Sequence, residues 1–124
     1  MKVLLSIKPE YAEKILDGRK RFEFRKALPK AKGVTTVVIY ATMPVGKIIG
    51  EFEVDRCMSH RPKDLWAMTH EFSGITKTFF NSYFKGRSTA HAFKVKSAKR
   101  YDSPITLTEL IGTTAAPQSF RYLT

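Results

Sequence analysis

The segment Val34–Thr42, which reads VTTVVIYAT, narrows the possible folds more than any other stretch of the chain. β-Branched residues dominate it, and because they suit a pleated backbone we predict a well-buried strand there. A reversal at Met43–Gly46 follows. The next segment, Lys47–Asp55, alternates apolar and polar residues, and together the two segments predict a β-hairpin.

Three other segments alternate with the period of two that is typical of strands. Val3–Ile7 predicts a first strand, and Thr89–Arg100 predicts a late one. Arg21–Arg25 alternates strictly, so we expect Phe22 and Phe24 to face the core while the charged residues share the opposite face.

Helical segments are marked by their end signals. Pro9 suits a first helical position and Gly18 suits the residue after the last turn, which predicts a helix over residues 9–17. Pro62 is expected to open a second helix in the same way. Thr76 can cap a third helix, whose aromatic residues recur at helical spacing and which ends at Gly86.

Length and composition limit the chain to one small domain. It has 124 residues and 43% hydrophobic residues, enough for one core, and the tail Pro104–Thr124 is expected to pack on it. We therefore predict a single domain over residues 1–124, of the α+β class, with mostly antiparallel strands and inserted helices.

The same composition bears on the compartment. One cysteine excludes an internal disulfide and fits a reducing environment. No apolar run approaches the roughly 18 residues of a membrane span, and the first eight residues are too short for a signal peptide. The expectation is a cytoplasmic protein without a membrane segment.

Charge is both large and segregated. The chain carries 22 Lys+Arg against 11 Asp+Glu, a net charge of +11. Residues 19–32 hold seven basic residues and one acid, residues 72–101 hold seven basic residues and no acid, and Glu51, Glu53 and Asp55 form an acidic edge elsewhere. This favours a nucleic-acid partner. The alternatives are a solvated cationic surface without a partner and a protein-interaction adaptor that uses both charged faces.

The densest group of charged residues follows the first helix. Gly18 lets the chain turn sharply, and Lys20 falls at that turn, where its ammonium can be presented freely, without a rigid neighbour. Glu23 and Arg25 lie two apart on one strand face, about 7 Å between Cα atoms. Between arginines, Glu23 should have a lowered pKa and could accept a base amino group or orient an arginine. The plainer interpretation is an ion-pair ladder on a solvated strand.

The segment Leu5–Lys26, LSIKPEYAEKILDGRKRFEFRK, resembles the opening of the ASCH family, a PUA-like β-barrel group. That family's signature, Gly-x-Lys-x-x-Glu-x-Arg, matches Gly18, Lys20, Glu23 and Arg25. The similarity continues in three later blocks, at Tyr40–Val54, Ile75–Val95 and Pro117–Leu123. They resemble a subgroup described as predicted transcriptional regulators.

The resemblance implies a small barrel of five to six mostly antiparallel strands with about three flanking helices, and an RNA-related role. Some ASCH relatives hydrolyse the acyl amide of a modified cytidine with a lysine and a threonine of this motif and a downstream glutamate. Lys20 matches the lysine, Glu23 occupies the threonine position, and Glu71 can correspond to the glutamate. Other relatives are reported as ribonucleases.

Further site candidates lie near this motif. Ser6 and Lys8 share a strand face and could line the same mouth. Tyr83 belongs to the aromatic helix, but its hydroxyl needs a polar exit, so it is the aromatic residue most suited to a ligand. The three histidines lack metal-ligand spacing and one cysteine cannot complete a zinc site, so we expect no metal and no cofactor.

Two functional hypotheses follow. In the first, the chain binds nucleic acid, RNA in preference to DNA: Lys20, Arg25, Lys94 and Lys96 neutralise phosphates and a cleft beside Glu23 accepts one unstacked base.

In the second, the chain is a hydrolase acting on RNA or a modified nucleoside. Lys20 activates the substrate or stabilises charge, and Glu23 or Glu71 carries the proton. An ordinary lysine has a pKa of about 10.4, so Lys20 would need burial or cationic neighbours, such as Arg19 and Arg21, to act as a base.

Overall fold

A computed structural model describes residues 1–123. The predicted tail and the predicted domain both extend to Thr124, which lies outside the described residues. Its strands are Lys2–Ile7 (β1), Phe22–Arg25 (β2), Thr36–Ala41 (β3), Lys47–His60 (β4), Ala90–Ile105 (β5) and Phe120–Leu123 (β6). Its helices are Pro9–Leu16 (α1), Pro62–Thr69 (α2), Lys77–Tyr83 (α3) and Leu107–Ile111 (α4), with a 3₁₀ turn at His70–Phe72.

The six strands form one mixed sheet in the order β2-β5-β4-β3-β1-β6. Only the β1–β3 pair is parallel among the strand pairs of residues 1–123, so the prediction of a mostly antiparallel α+β domain is confirmed. The edge strands β2 and β6 are not hydrogen-bonded to each other, and the predicted barrel is therefore not closed by hydrogen bonds. A fourth helix, α4, adds to the three expected ones.

The predicted hairpin is formed by β3 and β4. All six residues of β3 are buried, in keeping with its β-branched composition. However, β4 continues to His60 and β5 runs to Ile105, beyond the predicted ends at Asp55 and Arg100. Register shifts between the two strands break the alternation of side chains. Those beside Val54 lie at the predicted end of β4, and the one between Ile48 and Gly50 lies opposite the predicted end of β5 at Arg100.

The helices begin where the sequence signals place them. Pro9 occupies the first turn of α1, whose Ala12 and Ile15 are buried. The side-chain oxygen of Thr76 accepts a hydrogen bond of 3.1 Å from the backbone N–H of Phe79, which caps α3. The two helices therefore start at fixed points in the chain.

The interior near β2 is aromatic. Phe80 and Phe84 of α3 pack edge-on against Phe24 of β2, with ring centroids 5.3 and 6.3 Å away, and Phe22 and Leu65 complete this part of the core. In the described residues no helix is long and apolar enough to cross a membrane. The aromatic cluster fixes α3 at a set distance from β2, and a cavity lies between them.

We expect Phe80→Ala to lower the free energy of unfolding by about 3–5 kcal/mol, because the ring is 1% exposed and its loss leaves a cavity. Urea denaturation measures this change. Met68→Ala is the matched control, since Met68 is 49% exposed on α2, and it should cost less than about 1 kcal/mol. Equal losses in the two variants would contradict this account of the core.

Candidate functional site

A cavity of about 230 Å³ opens between the end of β1, helix α1, strand β2 and helix α3. Six of the side chains singled out in the sequence line it: Ser6, Lys8, Lys20, Glu23, Arg25 and Tyr83. The other lining residues are Ile7, Tyr11, Phe24, Ile75 and Phe79. Three residues of the signature motif, Lys20, Glu23 and Arg25, therefore line one concave site, and they do not form an ion-pair ladder on a solvent-exposed strand.

Lys20 is the most deeply buried charged residue of the site. It follows the turn at Gly18, whose φ is +86°, and only 1% of it is exposed. Its Nζ donates a hydrogen bond of 2.5 Å to the carbonyl oxygen of Ser73 and lies 5.3 and 4.9 Å from the ring centroids of Tyr11 and Phe24. The ammonium is thus held by one carbonyl and two aromatic faces.

Burial lowers the pKa of Lys20 to about 8, with Lys14 adding to the effect and the carboxylate of Glu23 opposing it. The prediction that Lys20 is presented freely at a turn is wrong, because α1, β2 and the segment at Ser73 enclose it. A lysine with this pKa exchanges protons near neutral pH, as an acid or base in catalysis must.

Arg19 and Arg21, the neighbours proposed to lower this pKa, lie elsewhere. Arg19 forms a 2.7 Å ion pair with Asp17. The guanidinium of Arg21 lies 4.8 Å from the ring centroid of Phe72. Desolvation, and not the adjacent arginines, therefore sets the pKa of Lys20.

Gly74 leaves the space that the Lys20 side chain fills. A Cβ added at Gly74 would lie 2.6–2.7 Å from Cβ, Cγ and Cδ of Lys20, and φ of Gly74 is +69°. Lys14 fixes the same loop, because its Nζ donates a 3.2 Å hydrogen bond to the Gly74 carbonyl. The loop after the 3₁₀ turn is thereby a part of the lysine site.

Glu23 is also buried, with 6% exposed, on the edge strand β2. Burial raises its pKa, and the positive charges of Lys20 and Arg25 oppose that rise. The expectation of a lowered pKa is wrong because the strand face predicted to meet solvent lines the cavity. Among the described residues, Glu23 forms a salt bridge with Arg25, at 3.3 Å, and not with Lys20.

Arg25 braces the carboxylate and the surrounding backbone. Its Nη1 donates to Oε2 of Glu23 and to the Ser6 carbonyl, both at 3.3 Å, and its Nη2 donates to the Ser119 carbonyl at 2.8 Å. Ser6 Oγ donates to the Pro117 carbonyl at 2.6 Å. Arg25 and Ser6 therefore attach the segment before β6 to the site.

Aromatic rings form one wall of the cavity. Phe79 and Tyr83 lie nearly parallel, at an interplanar angle of 12° and 6.1 Å between centroids, and Tyr11 meets Phe79 edge-on at 5.8 Å. Burial raises the pKa of Tyr83, so its hydroxyl stays protonated at neutral pH. Phe79 and Tyr11 line the site although their patterns predict only helix cores. Phe79 lies four residues from both Ile75 and Tyr83, and Tyr11 lies three residues from Lys8, so their helical spacing to other lining residues is the signal in the sequence.

Three predicted site residues lie outside this cavity. Lys94 pairs with Asp55 at 3.4 Å, and Lys96 is exposed beside a separate depression lined by Lys20 and Arg21. Glu71 lies exposed on the 3₁₀ turn and lines a neighbouring groove. Within residues 1–123 no group of three His, Cys, Asp or Glu side chains is placed to hold a metal ion.

Comparison with known proteins gives one family and a consistent fold. The ASCH domain model matches residues 5–104. An ASCH domain-containing ribonuclease of Zymomonas mobilis is 29% identical over 123 residues, which is 97% of this chain and 82% of that protein. The crystal structure of ASCH from Zymomonas mobilis has a TM-score of 0.91 at 28% identity, over 99% of this chain and 87% of that chain.

Two further similarities cover only part of the other protein or extend to the fold alone. The large ribosomal subunit protein uL22 of Ureaplasma parvum is 31% identical over 122 residues, 98% of this chain, and the chain spans 39% of that protein's length. The N-terminal domain of Staphylothermus marinus McrB has a TM-score of 0.53 at 13% identity, over 88% of this chain and 78% of that chain, and shares the fold alone.

Gly74→Ala should destabilise the protein more than Gly86→Ala. Both glycines have positive φ, at +69° and +78°, so both variants lose about 1–2 kcal/mol from backbone strain. Only Gly74→Ala drives a methyl group into Lys20, which should cost about 1–3 kcal/mol more in urea denaturation. Equal losses would show that Lys20 does not fill the space above Gly74.

Lys20 should make stability rise with pH in the alkaline range. Its pKa is about 8 in the folded chain and about 10.4 when unfolded, so between these values the unfolded chain binds more protons and rising pH favours folding. Wild type should gain up to about 3 kcal/mol over Lys20→Met between pH 7.5 and 10.5.

Urea denaturation across that pH range measures the difference. Lys99→Met, which removes an exposed lysine of β5, is the control and should differ from wild type by a constant amount. A pH-independent difference for Lys20→Met would show that Lys20 titrates as an ordinary lysine.

Proposed function

Because the chain belongs to the ASCH domain family, we propose that it binds single-stranded RNA at the cavity beside Lys20 and Glu23 and cleaves it there. One observation carries this proposal: an ammonium with a lowered pKa and a carboxylate with a raised pKa line the same cavity. Such opposed shifts are typical of an acid and a base in catalysis. The relative named a ribonuclease supports RNA as the substrate.

The chemistry needs only groups that RNA and this site supply. The 2′-hydroxyl attacks the adjacent phosphorus while Glu23 accepts its proton. The bond from phosphorus to the 5′-oxygen breaks, and Lys20 donates a proton to that leaving oxygen. The products are a 2′,3′-cyclic phosphate and a 5′-hydroxyl. DNA lacks the 2′-hydroxyl and would bind without reacting.

The surroundings of Glu23 and Lys20 suit them to the roles of base and acid, respectively. The raised pKa makes Glu23 a stronger base than an exposed glutamate, and Arg25 fixes the orientation of its carboxylate at 3.3 Å. The lowered pKa makes Lys20 a stronger acid than an exposed lysine while leaving most of it protonated at pH 7. The stacked rings of Phe79 and Tyr83 offer a face for one unpaired base.

RNA binding without cleavage is the second candidate function, and the net charge of +11 favours it as well. In that case the protein would act as a regulator in the cytoplasm, in line with the subgroup that its later sequence blocks resemble. A free modified nucleoside is a further possible ligand for a cavity of about 230 Å³. Glu23 at the position of the family's threonine removes the hydroxyl that its amide hydrolysis uses.

Lys20→Met and Glu23→Gln should each lower the rate of RNA cleavage by about 10²–10⁴-fold. The substrate is a 5′-labelled 20-nucleotide single strand containing all four bases, read on a denaturing gel, with the cyclic phosphate end identified by mass spectrometry. Lys99→Met should cleave at the wild-type rate. The wild-type rate should fall above a pH of about 8, as Lys20 loses its proton.

Three outcomes would contradict cleavage at this site. Equal fragmentation by wild type and both variants would identify a contaminating nuclease. Intact RNA with saturable, salt-sensitive binding would move the function to RNA binding alone. Absence of RNA binding would leave a small nucleoside or a protein as the ligand.

A further inference from the structure

Two exposed lysines stand at the rim of the cavity, on different elements. Lys8 precedes α1, and its Nζ lies 5.6 Å from the ring centroid of Phe79. Lys26 follows β2, and its Nζ lies 4.9 Å from the ring centroid of Tyr83. Phe79 and Tyr83 are neighbours, with ring centroids 6.1 Å apart, so each lysine lies over a different ring of the same wall.

These two cations differ from Lys20 and Arg25 in that no described residue accepts a hydrogen bond from their side chains. Lys20 is buried and bonded to the Ser73 carbonyl, and Arg25 donates to Glu23 and to two backbone carbonyls. Neither Lys8 nor Lys26 forms a salt bridge with any residue that the structure describes. A lysine held over a ring keeps its three N–H donors directed to its surroundings.

We propose that Lys8 and Lys26 bind the two phosphates that flank the nucleotide in the cavity. A base held against the Phe79–Tyr83 wall carries one phosphate on its 5′ side and one on its 3′ side, and one lysine lies over each ring of that wall. The substrate is then an internal nucleotide of an RNA strand, and not a free nucleoside or a chain end. This inference rests on the proposed RNA-directed function.

The double variant Lys8→Met/Lys26→Met tests the proposal. Methionine keeps the contact with each ring and removes the charge. The probe is a fluorescein-labelled 10-nucleotide RNA with 2′-O-methyl groups, which prevent attack by the 2′-oxygen, in an anisotropy series over salt concentration. Each lost phosphate contact lowers the slope of log K against log salt by about 0.7, so the double variant should lose about 1.4.

A matched control separates local contacts from net charge. Lys47→Met/Lys99→Met removes two exposed lysines that do not line the cavity and should leave the slope near that of wild type. Competition with nucleosides and with nucleoside 3′,5′-bisphosphates supplies a second measurement. Wild type should prefer the bisphosphates, and Lys8→Met/Lys26→Met should lose that preference while still binding the nucleosides.

The outcomes separate this inference from the proposed function. Equal slopes for the rim variant and the control variant, with RNA still bound, would overturn the two-phosphate site and leave the RNA-directed function standing. A wild-type protein that binds no RNA at any salt concentration would overturn the proposed function itself. Thermal denaturation of each variant confirms that the comparison is made on folded protein.

Discussion

The burial of one ammonium organises this end of the molecule. Enclosing Lys20 costs free energy, because a charged amine leaves water, and the Ser73 carbonyl, two aromatic faces and the charge of Glu23 offset only a part of that cost. Gly74 is needed to leave room for its side chain. An apolar residue at this position would avoid the cost of burying a charge.

Arg25 connects this lysine site to both ends of the chain. It bonds to the Ser6 carbonyl at the end of β1 and to the Ser119 carbonyl just before β6, and it holds the Glu23 carboxylate between them. Strands β1 and β6 pair with each other, so the sheet itself brings these carbonyls together. The guanidinium thereby positions the Glu23 carboxylate through the fold, and loss of Arg25 would disturb the geometry of the site as well as its charge.

Local signals account for what the sequence predicted well. The buried strand β3, the proline at the start of α1 and the Thr76 cap of α3 each depend on neighbouring residues, and each is found as expected. Contacts distant in sequence account for the errors. Ser73, which accepts the hydrogen bond from Lys20, lies 53 residues away in sequence. The residues next to Lys20 therefore do not indicate that it is buried. The register shifts between β4 and β5 likewise break the side-chain alternation from which the lengths of these strands would be predicted.

The charge pattern is also only partly informative: composition gives the net charge, whereas the structure determines which cations are paired. A net charge of +11 draws a polyanion to the whole surface, but it does not select a position on that polyanion. Lys94 illustrates the limit, because it belongs to the basic segment yet is paired with Asp55. In the proposed RNA site, selection falls to Lys8 and Lys26, which form no salt bridge with a described residue and lie beside an aromatic wall that suits an unstacked base.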